Sequence, residues 1–364
     1  MSVTAQRIAR ADLRDFGGYA SARTAQVDGD VWLNANEAAE GSLADPEAHC
    51  RRYPQPQPPQ LCEALARYYR VKLEQLLATR GSDEGIDLLV RAFCPPGGGG
   101  IVIAPPVFGM YAICARLHGS PVIEMPARTT AEGWHSDLAA MGEAAMQHGA
   151  RLVFVCSPGN PSGEAVPLQA IASLARQLEG QALLVLDAAY DEFADAPLSA
   201  NTLLDAHENL VILRTLSKAH ALAGARIGSL LADPTVLTIA RRCQAPYPLA
   251  EPAVQQALAA LQPDALAATA QRVQDCRQQR ARMAAALASL PGVRKLWPSQ
   301  GNFVLVDFDD AQAAFDALLD AGVVVRDMRA MPGCQNALRI SIGSAAENAR
   351  VLAALAGTEA EQAA

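Results

Sequence analysis

Lys218 sits in "VILRTLSKAHALAGAR" (211–226), directly behind a run of strand formers, and Arg226 follows it by eight residues. Val211, Ile212 and Leu213 predict a buried parallel strand. The alanine-rich stretch behind Lys218 predicts a helix that Ser217 can cap. A lysine at such a junction projects into the crevice at the carboxyl end of a sheet, where open α/β folds bind ligands. Taken alone, it is a solvated lysine at a strand end. Used covalently, it would form a Schiff base with a carbonyl compound, and the commonest cofactor needing one is pyridoxal 5'-phosphate. That cofactor makes further demands: a carboxylate at its pyridine nitrogen, a cup for its phosphate, a partner for its phenolic oxygen and a group to stack on its ring.

Each demand has a candidate. Asp187 ends the apolar strand "ALLVLD" (182–187), thirty-one residues before Lys218, and Tyr190 follows it by three. Asn160 lies in "CSPGNPSG" (156–163), a forced turn with two X-Pro bonds and two glycines. The phosphate cup is placed at "RGSDEGIDLLVRAF" (80–93), where Gly81 and Ser82 open a helix whose free N–H groups suit an anion. Asp83 and Glu84 favour the helix dipole but would repel a phosphate if they faced it. The contact is therefore assigned to the backbone and to Ser82, with Thr215, Ser217 and Arg226 closing the cup. Phe108, after the strand "IVIA" (101–104), is the stacking candidate. In "LRISIG" (338–343), Arg339 and Ser341 share the strand face opposite Leu338, Ile340 and Ile342. Arg339 could grip a carboxylate. Each signal has an ordinary structural explanation, a cap, a tight loop or a surface ion pair; their joint order along the chain is what argues for a site.

The elements that must hold these residues are legible as a pattern. "PVIEM" (121–125), "RLVFVC" (151–156) and "LVIL" (210–213) join the strands above, and helical stretches near 109–118, 136–148 and 167–178 separate most of them. Such alternation predicts an α/β fold with a mostly parallel sheet and helices on both faces. Leu61 to Leu77 reads as a helix, "VWLNANE" (31–37) as a short strand, and "RRYPQPQPPQ" (51–60) as an extended proline-rich connection. After about residue 250 the pattern becomes α+β, with "FVLVDF" (303–308), "GVVVRD" (322–327) and "LRISIG" as strands. The expected division is an N-terminal arm (1–45), a large cofactor-binding domain (46–249) and a smaller C-terminal domain (250–364).

The 364 residues are 51% hydrophobic and 19% charged, with a net charge of -8, which argues against a nucleic-acid binder. None of the eight cysteines are spaced as a zinc knuckle or a redox pair, so no metal site is expected. No segment has the apolar length of a membrane span, and the N-terminus lacks an apolar signal core. The expected compartment is reducing and cytoplasmic.

These motifs resemble the fold-type I pyridoxal-phosphate aminotransferases, and within them the histidinol-phosphate aminotransferases. "DVWLNANE", "RYPQPQP", "RGSDEGIDLLVRAFC", "PPVFGMY", "GNPSG", "LDAAYDEF", "RTLSKAHALAGARIG" and "LRISIG" match that pattern in order, over nearly the whole chain. The resemblance implies that Lys218 carries the cofactor, that Asp187 pairs with its pyridine nitrogen, and that Asn160 and Tyr190 meet its phenolic oxygen. Phe108 would stack on the ring; Ser82, Asp83 (through main chain), Thr215, Ser217 and Arg226 would hold the phosphate. Tyr53 would reach the cofactor of a partner subunit, implying a homodimer with shared sites. Arg339 would bind the substrate carboxylate, and Tyr19, Asn36 and Arg326 would shape the substrate pocket. The implied reaction exchanges an amino group between histidinol phosphate and 2-oxoglutarate, giving glutamate. Other enzymes of the same fold, an aromatic aminotransferase or a phospho-amino-acid decarboxylase, share the cofactor set. A non-catalytic relative is the rival of a different kind, and the intact Lys218 and Asp187 speak against it. The chain departs from the family where Phe108 stands for a commoner tyrosine, where Ala188 stands for an acid, and where "DFGGYASAR" (15–23) replaces a proline-containing version.

Overall fold

The computed structural model describes residues 2–14, 16–18, 22–23, 29–198 and 200–362. In chain order its strands are β1 (Leu76–Thr79), β2 (Ile101–Ile103), β3 (Val122–Glu124), the hairpin strands β4 (Arg128–Thr129) and β5 (Trp134–His135), β6 (Leu152–Cys156), β7 (Leu183–Asp187), β8 (Leu210–Thr215), β9 (Gly228–Ala232), β10 (Val293–Trp297), β11 (Phe303–Phe308), β12 (Arg326–Asp327) and β13 (Ala337–Ser341). Seven of them form one sheet in the order β1-β9-β8-β7-β6-β2-β3. The five strands from β3 to β8 are parallel. β9 runs antiparallel to both of its neighbours, so β1 points the same way as the parallel five.

The strands are apolar on both faces because both faces are covered. Val153 and Val155, Leu184 and Leu186, and Leu210 and Ile212 pack on one side, against helices Pro59–Tyr69, Leu168–Leu178 and Glu251–Ala260. Leu152 and Phe154, Leu183 and Val185, and Val211 and Leu213 pack on the other, against helices Gly81–Phe93, Met110–His118 and Pro234–Arg241. Each such side chain contributes about 1.5–3 kcal/mol of transfer free energy, an upper estimate. A second, antiparallel sheet has the order β10-β11-β13-β12. Val304, Val306, Leu338 and Ile340 from it form a core with Met283, Leu318 and Leu355 of the helices that cover it.

Four local expectations are corrected. The helix from Pro59 stops at Tyr69, because Arg70 turns left-handed at φ 56°, and Leu76–Thr79 becomes β1. Residues 31–37 form no strand; Asn36 sits at φ 55°, which breaks an extended run. "GVVVRD" pairs only at Arg326 and Asp327. No α-helix follows Lys218. Ala221 and Arg226 both take positive φ, and the segment turns back through Ala223–Ala225 into the antiparallel β9. The alanine content is a local preference that this reversal overrides. Among the described residues no helix is long and apolar enough to cross a membrane.

Candidate active site

The chemistry-bearing residues stand where the strands end. Asp187 is the last residue of β7 and Cys156, its partner in register, the last of β6. Thr215 ends β8, and Ser217 and Lys218 follow it. Thr79 ends β1 level with Gly228 of β9, and helix Gly81–Phe93 starts two residues later. Its close approach to β9 needs glycine twice. A Cβ on Gly228 would lie 2.5 Å from the Gly81 carbonyl carbon, and Gly81, at φ +74°, has the Arg226 guanidinium against it. From the second sheet, Arg339 of β13 and Arg326 of β12 face one another in register.

These ends surround one cavity of about 580 Å³. Ser82, Asp83, Thr215, Ser217 and Arg226 line one part of it, and Phe108 a wall. Asn160, Asp187, Tyr190, Lys218, Arg326 and Arg339 line the rest. Tyr53 and Asn36 do not belong to this lining. The Tyr53 ring stacks on Tyr247 with centroids 4.5 Å apart, half exposed, and Asn36 is exposed. Tyr19 lies outside the described residues.

The cavity floor holds a carboxylate to which no cation is directly bonded among the described residues. Asp187 is 3% exposed and forms no salt bridge among the described residues; its Oδ1 accepts from the Ala189 N–H at 3.1 Å. Burial pushes its carboxyl above the ordinary value, although the hydrogen bonds and Lys218 oppose that. Lys218 Nζ lies 5.4 Å from the centre of the Tyr190 ring. Lys218 stays exposed to the open cavity, yet the protein crowded around it, and then the nearby Arg339 guanidinium, hold its ammonium below the usual lysine value. The neutral, nucleophilic amine is thereby favoured.

Polar groups around this pair are linked. Asn160 Nδ2 donates to the Tyr190 hydroxyl at 3.3 Å, and Arg339 Nη1 donates to Asn160 Oδ1. At the other end, Arg226 Nη2 donates to Asp83 Oδ2 at 2.9 Å. The Asp83 charge that would oppose a phosphate is thus neutralised by an arginine of the same cup. Thr215 and Ser217 join through their hydroxyls at 2.9 Å. One residue was missed in the sequence: the Tyr111 hydroxyl donates to Asp187 Oδ2 at 2.6 Å. Its only sequence signal was its place one helical turn after Phe108 in "PPVFGMY". Among the described residues, no cluster of three or more His, Cys, Asp or Glu could hold a metal ion.

The arrangement fits pyridoxal phosphate on structural grounds. It offers a buried carboxylate awaiting a positive partner, a lysine open to the same cavity, an apolar ring wall and, opposite them, a glycine-cleared helix N-terminus for an anion.

Known proteins place the chain independently. The family model described as aminotransferase class I and II matches residues 24–355. A histidinol-phosphate aminotransferase of Stenotrophomonas maltophilia is 57% identical over 353 residues, 97% of each chain. One from Xanthomonas campestris pv. campestris is 56% identical over 348 residues, 96% of each. Among solved structures, histidinol-phosphate aminotransferase from Sinorhizobium meliloti in complex with pyridoxal-5'-phosphate superposes with a TM-score of 0.76 at 28% identity, covering 90% of each chain. The parallel sheet, the strand-end lysine and carboxylate, and matches spanning both sheets lead to one assignment: the chain belongs to the class I and II aminotransferase family, in its histidinol-phosphate aminotransferase branch.

Proposed function

We propose that this chain transfers the amino group of L-histidinol phosphate to 2-oxoglutarate, giving imidazole-acetol phosphate and glutamate in histidine biosynthesis, with pyridoxal 5'-phosphate as cofactor. The observation that carries the proposal is one cavity in which Lys218 and a buried carboxylate with no salt-bridge partner among the described residues, Asp187, share walls with Arg339 and Arg326. Identity of 56–57% to curated histidinol-phosphate aminotransferases over nearly the full length supports the substrate. When bound, the cofactor supplies an aldehyde that captures amines and a ring that withdraws electrons from the carbon being deprotonated.

The chain's residues do the rest. Lys218 would hold the cofactor through its amine and, with that amine free, would take the proton from the substrate Cα. Asp187 keeps the pyridine nitrogen protonated. Asn160 and Tyr190 donate to the phenolic oxygen, and Phe108 packs on the ring face. Ser82, the backbone at Asp83, Thr215, Ser217 and Arg226 bind the cofactor phosphate. Arg339 anchors the anion nearest the reacting carbon, as a guanidinium fork suits carboxylate and phosphate alike. Arg326 serves the far end of the substrate; Tyr19 and the exposed Asn36, which is outside this lining, are assigned to that end by the family resemblance alone. The two half-reactions alternate in ping-pong fashion.

The division into an arm (1–45), a cofactor domain (46–249) and a C-terminal domain (250–364) belongs to this reading, as does the cytoplasm as its compartment. So does a homodimer, in which Tyr53 of each chain completes the partner's site. The exposed position of Tyr53, outside its own chain's cavity, supports that arrangement, as does the prevalence of two-fold dimers.

Purified protein is expected to absorb in the visible, and borohydride to fix the cofactor to Lys218. Lys218→Ala should abolish transamination; activity near the parent rate would overturn the assignment. Steady-state rates with histidinol phosphate, phenylalanine and phosphothreonine test the substrate. A preference for either of the latter would replace the branch assignment and leave the cofactor chemistry standing.

A further inference from the structure

Tyr111 has no part in the reaction so far, yet among the described residues it makes the shortest hydrogen bond to the carboxylate on which that reaction depends. Its hydroxyl donates to Asp187 Oδ2 at 2.6 Å, while the Ala189 N–H reaches Oδ1 at 3.1 Å. The ring is fully buried. It stacks on Phe154, with centroids 4.6 Å apart and planes at 14°, and meets Phe108 edge-on at 5.7 Å. Held between a strand residue and a loop residue, the ring can aim its hydroxyl in one direction only.

We infer that Tyr111 is a positioning residue for the transamination: its hydroxyl fixes the rotation of the Asp187 carboxylate and leaves the remaining lone pairs directed at the pyridine nitrogen. The inference rests on the cofactor assignment made above. An ionised carboxylate offers about four acceptor sites, and Tyr111 and Ala189 engage one on each oxygen. A buried carboxylate free to rotate would lose this alignment and the charge-assisted bond that favours its ionised form. The other groups facing Asp187 are Lys218, which favours ionisation, and Asp83, Cys156 and Tyr190, which do not. Tyr111 is thus the hydrogen-bonding side chain that works with Lys218 to keep the carboxylate charged. Phe108 contributes indirectly: the ring proposed to cover the cofactor also braces the ring that orients its carboxylate.

Tyr111→Phe keeps the stack and deletes the hydroxyl. Removing one hydrogen bond to a charged group corresponds to about 10- to 100-fold. The variant should bind pyridoxal phosphate at least about tenfold more weakly in a fluorescence titration of the cofactor-free chain, and kcat should fall by a similar factor with KM for histidinol phosphate unchanged. The same substitution in an Asp187→Asn background should have almost no further effect on affinity, since the partner through which it acts has changed. Affinity within twofold of the parent would overturn the inference, as would a full-sized loss that persists in the Asp187→Asn background. A variant that unfolds is replaced by Phe154→Leu, which keeps the hydroxyl but releases the ring. It should weaken cofactor binding severalfold, and unchanged binding would count against the inference. If the parent chain itself takes up no pyridoxal phosphate, the cofactor assignment fails instead, and the two failures cannot be confused.

Discussion

Two buried carboxylate centres lie four residues apart in this chain, and the fold treats them in opposite ways. Asp187 ends β7 at the cavity floor, with neutral hydrogen-bond donors and no cation bonded to it among the described residues. Asp191 and Glu192, on the next turn, share one guanidinium. Arg214 of β8 donates Nη1 to Asp191 and Nη2 to Glu192 at 2.7 Å, and it lies 5.1 Å over the Tyr69 ring. Although burial alone would lower it, Glu192 and then Asp191 hold the Arg214 guanidinium above its ordinary value. Arg277 adds bonds to the carbonyls of Glu192 and Phe193, at 3.1 and 3.2 Å. The saturated centre ties the Asp187 segment to the Lys218 strand. The unsaturated one is left for a ligand to complete. Burial is common to both; the presence of a protein cation separates scaffold from site.

The largest expected effect breaks the saturated centre. Arg214→Met removes the only cation bonded, among the described residues, to Asp191 and Glu192, and breaking a buried pair from one side costs about 3–5 kcal/mol. Urea unfolding measures it. A loss below about 1 kcal/mol would mean that water, rather than Arg214, compensates the acids, and the contrast would disappear.

The next effect has the opposite sign in stability. The raised Asp187 carboxyl contributes stability that is present below the ordinary aspartate value and is lost as the pH rises through the folded-state value. At pH 7 this carboxyl is therefore a liability to the cofactor-free chain. Asp187→Asn should leave that chain at least as stable as the parent at pH 7. Turnover should nevertheless fall by about 10²–10³, or roughly 2.7–4 kcal/mol of barrier, as for other preorganised electrostatic groups. Lower stability together with near-parental turnover would make Asp187 an ordinary cap.

The same contrast explains what could be read in the sequence. Strand ends in a parallel sheet all open toward one crevice, so Asp187, Lys218, Ser82 and Asn160 could be nominated from local signals alone. Arg339 followed from the period-two alternation of β13. The saturated centre could not be read this way. Arg214 sits among strand formers, and its partners lie more than twenty residues earlier, so only the folded register of β7 beside β8 brings them together. Tyr111 escaped because its role depends on the ring packing of Phe108 and Phe154. The helix expected after Lys218 failed for a related reason. Alanine content describes local preference, whereas the chain must reverse there to pair β9 against β8.

The smallest effect probes the link between the two centres. His220, two residues past Lys218, is 5% exposed, and its Nε2 lies 3.0 Å from the Tyr68 hydroxyl, which itself reaches Glu192 at 3.5 Å. Its Nδ1 has no hydrogen-bond partner among the described residues. Ala219, beside it, is held by Arg272 Nη1 on its carbonyl at 3.0 Å. Burial, then Arg214 and Arg272, press the imidazole down to about 4 from an ordinary 6.5, so it stays neutral in the folded chain. The unfolded chain binds a proton there first. The stability contribution is therefore fully present above about pH 6.5 and is lost as the pH falls toward 4. At about 1.4 kcal/mol for each pH unit of that window, the loss is at most about 3–4 kcal/mol. Glu192, whose carboxyl burial raises, slopes the other way and only above its ordinary value, so the parent curve alone mixes the two. His220→Gln keeps a polar partner for Tyr68 and does not titrate. Unfolding free energies of parent and variant at pH 7, 5.5 and 4.5 should diverge as the pH falls, with the parent losing more. If the curves stay parallel, His220 is charged or exposed in the folded chain, and the saturated centre does not extend beneath the Lys218 segment.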